Sequence, residues 1–208
     1  MRLFAGILDF LFPMRDREAM VRAASVESLG SAVAPCIRAP DVVSLLPYRV
    51  PLVQACVTEA KFRKSEHAER LLARVLRDYL DAWMLDRAPF ESGAVTLVPV
   101  PLSQARLRAR GYNQSERIAH LAVQGTAGLA VDAGLLMRVR DTLPQTSLSG
   151  DARRTNVKEA FRAARLADPH HTYIVFDDVL TTGSTLNAAV SALKEAGAAR
   201  VYGLSLAH

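Results

Sequence analysis

The chain has 208 residues, of which 50% are hydrophobic and 23% are charged, the balance of a soluble globular protein with one main domain. Its formal charge is +5, and 22 of its 26 basic residues are arginines, whose planar donors suit the oxygens of phosphate groups. Because only 6% of the residues are aromatic and no RNP, zinc-finger or leucine-zipper pattern is present, direct nucleic-acid binding is not favoured.

The N-terminal segment MRLFAGILDFLFPM is apolar and raises the question of export or membrane insertion. Asp9 interrupts it, no small-residue cleavage site follows, and it is too short to span a bilayer. A helix on a membrane surface is disfavoured because its polar side lacks a row of Lys or Arg. The two cysteines, Cys36 and Cys56, form neither a metal half-site nor a disulfide framework. We therefore expect a cytoplasmic protein with a short amphipathic N-terminal helix packed on its body.

The first 45 residues are predicted to form a small helical appendage. Residues 15–30 are polar with helical character. Residues 34–40 carry two prolines, which break regular structure and indicate a linker. The main domain is expected to span residues 46–208.

The main domain opens with predicted helices and a strand. Apolar residues recur at helical spacing over 50–85, interrupted by a charged stretch, which predicts two helices joined by a polar turn. AVTLVPVP at 94–101 is typical of a buried strand that opens into a loop. A basic turn, RLRARGYNQ at 106–114, precedes a predicted helix at 115–124. Residues 138–156 have little apolar periodicity and are predicted to form a long loop.

The C-terminal region predicts a βαβ unit. TYIVF at 172–176 is a strand, DDVLTTGS at 177–184 is a loop, TLNAAVSALKEAG at 185–197 is an amphipathic helix, and RVYGLSLA at 200–207 is a second strand. Strands joined through a helix lie parallel. The pattern therefore predicts an α/β fold with a parallel sheet flanked by helices, and it places the loop at the carboxyl edge of that sheet.

The loop between this strand and helix carries the predicted chemistry. The first N–H groups of a helix have no intrahelical acceptor and attract anions. Thr181, Thr182, Ser184 and Thr185 add hydroxyl donors, and Gly183 lets the backbone approach a ligand closely. Together they predict a phosphate site that requires no cation.

Two carboxylates, Asp177 and Asp178, directly precede this loop and would repel a bare phosphate. They suit the vicinal hydroxyls of a ribose, because carboxylates accept hydrogen bonds from such donors. A Walker A loop is excluded since no lysine lies between Lys158 and Lys194, and the dinucleotide fingerprint fails since the stretch has one glycine. The remaining alternative is structural: the acids end a strand and the hydroxyl residues cap a helix.

Residues 173–185, YIVFDDVLTTGST, resemble the phosphoribosyl pyrophosphate motif of type I phosphoribosyltransferases nearly residue for residue. Other segments are similar to the ComF family, phosphoribosyltransferase-like proteins linked to competence for DNA uptake. These segments are AKF at 60–62, LVPVPLSQARLRARGYNQSERIA at 97–119, RVRDTLPQTSL at 138–148 and RRTNVKEAF at 153–161. The resemblance covers residues 46–208 of this sequence.

The N-terminal segment departs from the family pattern. Members commonly begin with an LLFPxxC segment that opens a four-cysteine zinc ribbon. Here LDFLFPMRD keeps the apolar part, but Asp16 stands where the cysteine would be, which leaves Cys36 as the candidate survivor. One thiolate cannot hold a tetrahedral structural zinc, so no structural zinc is predicted.

The resemblance implies roles for residues upstream of the motif. Pro101 and Leu102 take the position of the loop whose backbone approaches pyrophosphate. Arg106 and Arg110 follow this loop and are preferred over Arg108 as substrate contacts, the alternative being a solvated arginine face.

Two further segments have alternative interpretations. Asn113 and Gln114 could pin the turn rather than touch substrate. The loop at 138–156 corresponds to the hood that closes over the reaction in this fold, or it is a plain connection. Its polar candidates are Gln145, Arg153, Arg154 and Asn156.

The resemblance implies a transferase in which Asp177 and Asp178 orient the ribose while a nitrogen nucleophile displaces pyrophosphate from C1. Magnesium is expected to arrive with the phosphoribosyl pyrophosphate, and no segment identifies the nucleophile. One alternative is a non-catalytic sensor of the same ligand that helps the DNA-uptake proteins. Another is a single-stranded DNA binder that uses the arginines at 106–110. The apolar first helix and residues 53–83 could offer a homodimer surface.

Overall fold

The computed structural model describes residues 14–39, 41–87, 93–139 and 160–208. Within these ranges the chain forms helices on both sides of a sheet. The helices are α1 (Met14–Ala23), α2 (Val26–Gly30), α3 (Pro51–Arg63), α4 (Glu66–Arg87), α5 (Gln104–Arg110), α6 (Gln114–Val123) and α7 (Ser184–Glu195). The strands are β1 (Cys36–Ala39), β2 (Val42–Leu46), β3 (Val95–Pro99), β4 (Leu129–Val131), β5 (Leu136–Arg138), β6 (Phe161–Ala163), β7 (Thr172–Val179) and β8 (Arg200–Ala207).

Six strands form one sheet in the order β1, β2, β8, β7, β3, β4. Each neighbouring pair in this sheet is parallel except β1 and β2, which are antiparallel. β5 and β6 form a separate antiparallel pair. The predicted α/β class with a parallel sheet is therefore confirmed, and so is the C-terminal βαβ unit formed by β7, α7 and β8.

Helices cover both faces of the central strand β7. Ile174 and Phe176 pack in one cluster with α3, α4 and α6, whereas Tyr173 and Val175 pack in a second cluster with α7 and the β5–β6 pair. Successive residues of a strand point to opposite faces, which explains why residues 173–176 of this strand are an unbroken apolar run. Burial of each large apolar side chain contributes roughly 1.5–3 kcal/mol. β7 is thus firmly held, and its carboxyl end is fixed in space.

α7 lies close against β8 at Gly203. A Cβ atom at this position would lie 3.0 Å from Val42 and 3.1 Å from Leu186, which is tighter than ordinary van der Waals contact. Leu186 and Leu193 of α7 are fully buried on the same side. The absence of a side chain at Gly203 therefore lets α7 seat directly on the sheet.

The N-terminal region contains a strand that the sequence did not predict. Helical character over 15–30 is confirmed by α1 and α2. The linker predicted at 34–40 is wrong, because β1 occupies residues 36–39 and pairs with β2. β2 in turn pairs with β8, since its residues VVSLL are strand formers with a buried face. The predicted domain boundary between residues 45 and 46 consequently falls inside a strand of the main sheet.

The basic segment after β3 also differs from prediction, since residues 104–110 form helix α5 rather than a turn. The hydroxyl of Ser103 caps its start by accepting the N–H of Arg106, and Gly111 ends it with a φ of 79°. Alanine, leucine and arginine are good helix formers, which supports the short helix between these caps. The two helices predicted over 50–85 and the helix predicted at 115–124 are confirmed as α3, α4 and α6.

The predicted long loop is only partly described. Arg138 ends β5, so the loop begins later than predicted. Residues 140–156 lie outside the described residues, together with the hood candidates Gln145, Arg153, Arg154 and Asn156. The apolar segment 1–13 also lies outside them. In the part of the chain that is described, no helix is long and apolar enough to cross a membrane.

Candidate functional site

The carboxyl ends of β3 and β7 meet at one edge of the sheet. The N–H of Val100, just beyond β3, donates to the carbonyl of Phe176 at 2.8 Å, which places the loop after β3 beside the last residues of β7. Asp177 and Asp178 are among those last residues. In parallel α/β sheets ligands bind at this edge, so the candidate site lies where the fold class predicts it.

The hydroxyl-rich loop leads from β7 into α7. Gly183 precedes the first helical residue with a φ of 76°, a left-handed conformation that favours glycine. Thr181 and Thr182 are exposed, and the hydroxyls of Thr182 and Ser184 lie 2.9 Å apart. Ser184 and Thr185 occupy the first turn of α7, where helix N–H groups have no intrahelical acceptor. The loop therefore presents hydroxyl groups and a helix N-terminus to the same edge, an arrangement suited to an anion.

Asp177 is held by donors of the protein itself. Its Oδ1 accepts the hydroxyl of Ser115 at 3.2 Å and the N–H of Asp178 at 2.9 Å. Burial, followed by the negative charge of Asp178, raises the pKa of Asp177 to about 7. The ammonium of Lys61 and the two hydrogen bonds act in the opposite direction without cancelling the rise. Asp177 is consequently a carboxyl group that titrates near neutral pH.

Asp178 forms an ion pair with Lys61. The Nζ atom of Lys61 lies 3.2 Å from Oδ2 and 3.4 Å from Oδ1 of Asp178, so the ammonium engages both carboxylate oxygens. The side chain of Asp178 is 9% exposed and that of Lys61 is 23% exposed. Lys61 stands in the last turn of α3, which brings a cation from a distant part of the chain to the acid pair.

Arg110 is more buried than the other arginines of α5. It is half-buried, with its guanidinium carbon 5.4 Å from the ring centre of Phe62, whereas Arg106 and Arg108 are exposed. Burial lowers the pKa of Arg110, and the negative charge of Asp178 opposes this effect. The charge of Arg110 therefore interacts with both members of the acid pair.

Hydrogen bonds fix the backbone around the site. The hydroxyl of Tyr112 donates to the carbonyl of Ala60 at 2.6 Å, and the side-chain N–H of Asn113 donates to the carbonyl of Val100 at 3.1 Å. The first bond ties α3 to the turn before α6, and the second ties that turn to the loop after β3. The interpretation of Asn113 as a residue that pins the turn agrees with this geometry.

The structure brings some of the predicted site residues together. Asp177, Asp178 and Arg110 interact through their charges, and Pro101 and Leu102 are half-buried in the loop after β3. Sequence reasoning missed Lys61 and Ser115, the partners of the two acids. Lys61 lies within the AKF segment that resembles the family, and that segment was the available signal. Ser115 begins a helix that was predicted, but its orientation toward Asp177 depends on the packing of α6.

The parallel sheet, the acid pair at the end of β7 and the hydroxyl-lined start of α7 define the class as a type I phosphoribosyltransferase-like protein. The chain is 36% identical to DNA utilization protein YhgH of Salmonella typhi over 171 residues, 80% of this chain and 73% of the relative. It is 31% identical to Competence protein F of Haemophilus influenzae over 173 residues, with the same coverage of each chain. No family model matches the sequence. The chain belongs to the ComF family of these relatives.

Proposed function

We propose that the chain binds phosphoribosyl pyrophosphate at the end of β7 and transfers its phosphoribosyl group to a nitrogen nucleophile in the cytoplasm. The observation that carries this proposal is the acid pair Asp177–Asp178, set directly before the hydroxyl-lined N-terminus of α7. The names of the relatives, a DNA utilization protein and a competence protein, support a role linked to DNA uptake.

Each part of the ligand has a matching part of the site. The 5-phosphate suits Thr181–Thr185 at the start of α7, and the ribose hydroxyls suit the carboxylates of Asp177 and Asp178. The pyrophosphate, with its magnesium ion, would lie toward Arg110 and the loop of Pro101 and Leu102. The ligand would thus be held at three points, and its C1 atom would lie among them.

The reaction would be a displacement at C1. The lone pair of the nitrogen forms the new bond to C1, and the C1–oxygen bond breaks with its electrons leaving on the pyrophosphate. Positive charge develops on the ribose ring, where the carboxylates are favourable neighbours, and negative charge develops on the leaving group beside Arg110. The proton lost by the nucleophile would pass to solvent or to a nearby base.

Release of pyrophosphate tests whether the chain is a transferase. We expect pyrophosphate to form when the protein, magnesium and phosphoribosyl pyrophosphate are mixed with one member of a panel of nucleobases and simple amines. A coupled pyrophosphate assay measures the rate, and protein with both Asp177 and Asp178 replaced by asparagine serves as the inactive control. Saturable binding without release from any panel member would favour the alternative, a sensor that binds the ligand without chemistry.

A second candidate function is binding of single-stranded DNA beside the site. Phe62 is 55% exposed, and the guanidinium of Arg110 lies over its ring. Leu107 is also exposed, and Arg106 and Arg108 flank it on α5. An exposed aromatic ring amid arginines can stack a base while the cations contact phosphates.

Fluorescence anisotropy with a labelled oligonucleotide tests this second function. We expect affinity to fall steeply with salt, and Phe62→Ala to weaken binding by roughly 1–3 kcal/mol, the usual contribution of one stacked base. Leu85→Ala is a matched control, because Leu85 is an apolar residue that is 75% exposed near the end of another helix, α4. Affinity that is independent of salt, or equal losses in both variants, would dismiss the DNA surface.

A further inference from the structure

Asp177 and Asp178 have partners of different kinds. Asp177 accepts a backbone N–H and a serine hydroxyl, both on segments held by sheet or helix hydrogen bonds. Asp178 is paired with an ammonium at the tip of a flexible four-carbon chain. The two donors to Asp177 therefore belong to fixed segments of the backbone. The ammonium of Lys61, by contrast, can move away from Asp178 by rotation of side-chain bonds.

The backbone that carries Lys61 is itself fixed. Tyr112 holds the carbonyl of Ala60, one residue earlier, at 2.6 Å. Any movement of the ammonium must therefore come from the lysine side chain and not from α3. The side chain is partly exposed, which leaves room for such a rotation on the solvent side.

A bound ribose and Lys61 compete for the same atoms. Lys61 engages both oxygens of Asp178, and a sugar hydroxyl that donates to this carboxylate needs one of them. If a hydroxyl displaces the ammonium, Lys61 is left partly buried without its anion, which is unfavourable. Phosphoribosyl pyrophosphate brings a new anion to the same place, since its pyrophosphate is on C1, next to the 2-hydroxyl.

We infer that Lys61 is an exchangeable partner, which neutralises Asp178 in the free protein and transfers its ammonium to the pyrophosphate when the ribose hydroxyls take over the carboxylate. This inference rests on the proposed function. Lys61 is then a residue that positions Asp178 before binding and discriminates between ligands with and without pyrophosphate during binding. Ribose 5-phosphate also donates hydroxyl hydrogen bonds to the carboxylate of Asp178, but it carries no pyrophosphate to accept the ammonium of Lys61.

The test compares two ligands on the variant Lys61→Met, which keeps most of the unbranched apolar side chain and removes its charge. Binding of phosphoribosyl pyrophosphate with magnesium is expected to weaken roughly ten- to hundredfold, the usual effect of losing one charge-assisted contact. Binding of ribose 5-phosphate is expected to stay within about threefold of wild type or to tighten, since no ammonium competes for Asp178. Calorimetric titration measures both affinities.

Lys64→Met is the matched control. Lys64 lies three residues along the chain, is exposed, and places its ammonium 5.3 Å from the ring centre of Tyr112. The same loss of charge at this position is expected to change the two affinities equally and by less than about threefold. Equal losses for both ligands in Lys61→Met would overturn the inference and leave Lys61 as a purely structural partner. Failure of the wild type to bind either ligand would instead overturn the proposed function, and the inference with it.

A measurement on the wild type covers the case in which Lys61→Met does not fold. The chain has four lysines, so a protein labelled with ¹³C at lysine Cε shows few signals, and Lys61→Arg identifies the one that belongs to Lys61. We expect phosphoribosyl pyrophosphate and ribose 5-phosphate to move this signal to two different positions. A signal that stays at its free-state position with both ligands bound would show that the ion pair with Asp178 is retained, contrary to the inference.

Discussion

Replacement of both Asp177 and Asp178 by asparagine is expected to weaken binding of magnesium-bound phosphoribosyl pyrophosphate by more than about 100-fold. Each carboxylate would accept a hydroxyl of the ribose, and loss of one charge-assisted hydrogen bond costs roughly 1.5–3 kcal/mol. Two such losses add to at least about 3 kcal/mol, where 1.4 kcal/mol is a factor of ten. Calorimetric titration of the ligand into wild type and variant measures the effect.

The double variant Asp78→Asn, Asp81→Asn is the matched control for this experiment. Both residues are exposed on α4, and their replacement changes the net charge by the same amount. We expect its affinity to stay within about threefold of wild type, since exposed charges are screened by salt. Equal binding by wild type and by the Asp177, Asp178 variant would remove the acid pair from the ligand site.

Asp177→Asn alone is expected to make the free protein more stable, with an effect that depends on pH. In the folded protein the pKa of Asp177 is raised to about 7, from 3.8 for an ordinary aspartate. The folded state therefore holds this proton more tightly than the unfolded state. Below pH 3.8 this difference in pKa costs the folded state no stability. The loss of stability grows between pH 3.8 and 7 and is complete above pH 7. Asparagine has no charge, and its oxygen can still accept from Ser115 and from the backbone N–H of Asp178.

Thermal unfolding of wild type and Asp177→Asn between pH 5 and 8 tests this expectation. At pH 8 we expect the variant to be more stable by at least about 1 kcal/mol, which raises Tm by roughly 2–4 °C for a chain of this size. The gain is expected to shrink as the pH falls toward 5. Asp78→Asn, on an exposed side chain, should show no such trend. A variant that is less stable than wild type at pH 8 would mean that the carboxylate of Asp177 is not strained by its surroundings.

A site that is destabilising when empty is physically consistent with a ligand-binding role. The raised pKa of Asp177 arises because two carboxylates are placed together in a poorly solvated position. A buried carboxyl group with a raised pKa would gain stability from replacement by a neutral residue. The cost in the free protein is what a bound ribose, with its hydroxyl donors, would offset.

The C-terminal unit was predictable from sequence because local signals agree there. TYIVF is a run of strand-forming residues in which only Thr172 is polar, as expected of a strand buried on both faces, and Gly183 and the hydroxyl residues mark the start of α7. The edge strand β1 was not predictable, since Pro35 and Pro40, which flank it in the sequence, argued for a linker. The sequence did not predict helix α5, because the run of arginines was interpreted as a turn although Ser103 and Gly111 are suitable helix caps.

The acid pair was predictable as a feature but its surroundings were not. Lys61 is 117 residues from Asp178 in the chain, and no local sequence pattern predicts that the last turn of α3 contacts the end of β7. Ser115 is 62 residues from Asp177. Such contacts depend on how α3 and α6 pack on the sheet. The proposed ligand chemistry thus rests on one loop of the sequence, whereas the partners of the two acids became visible only in the fold.

The contact at Gly203 has a consequence for binding strength. Because no side chain at Gly203 separates them, the helix that carries Ser184 and Thr185 packs closely on β8 through Leu186. A ligand that arrives at its first turn meets donors already in position and loses little entropy in ordering them. The packing of α7 on β8, on the side of the helix away from the ligand, would then contribute to tight binding of that ligand.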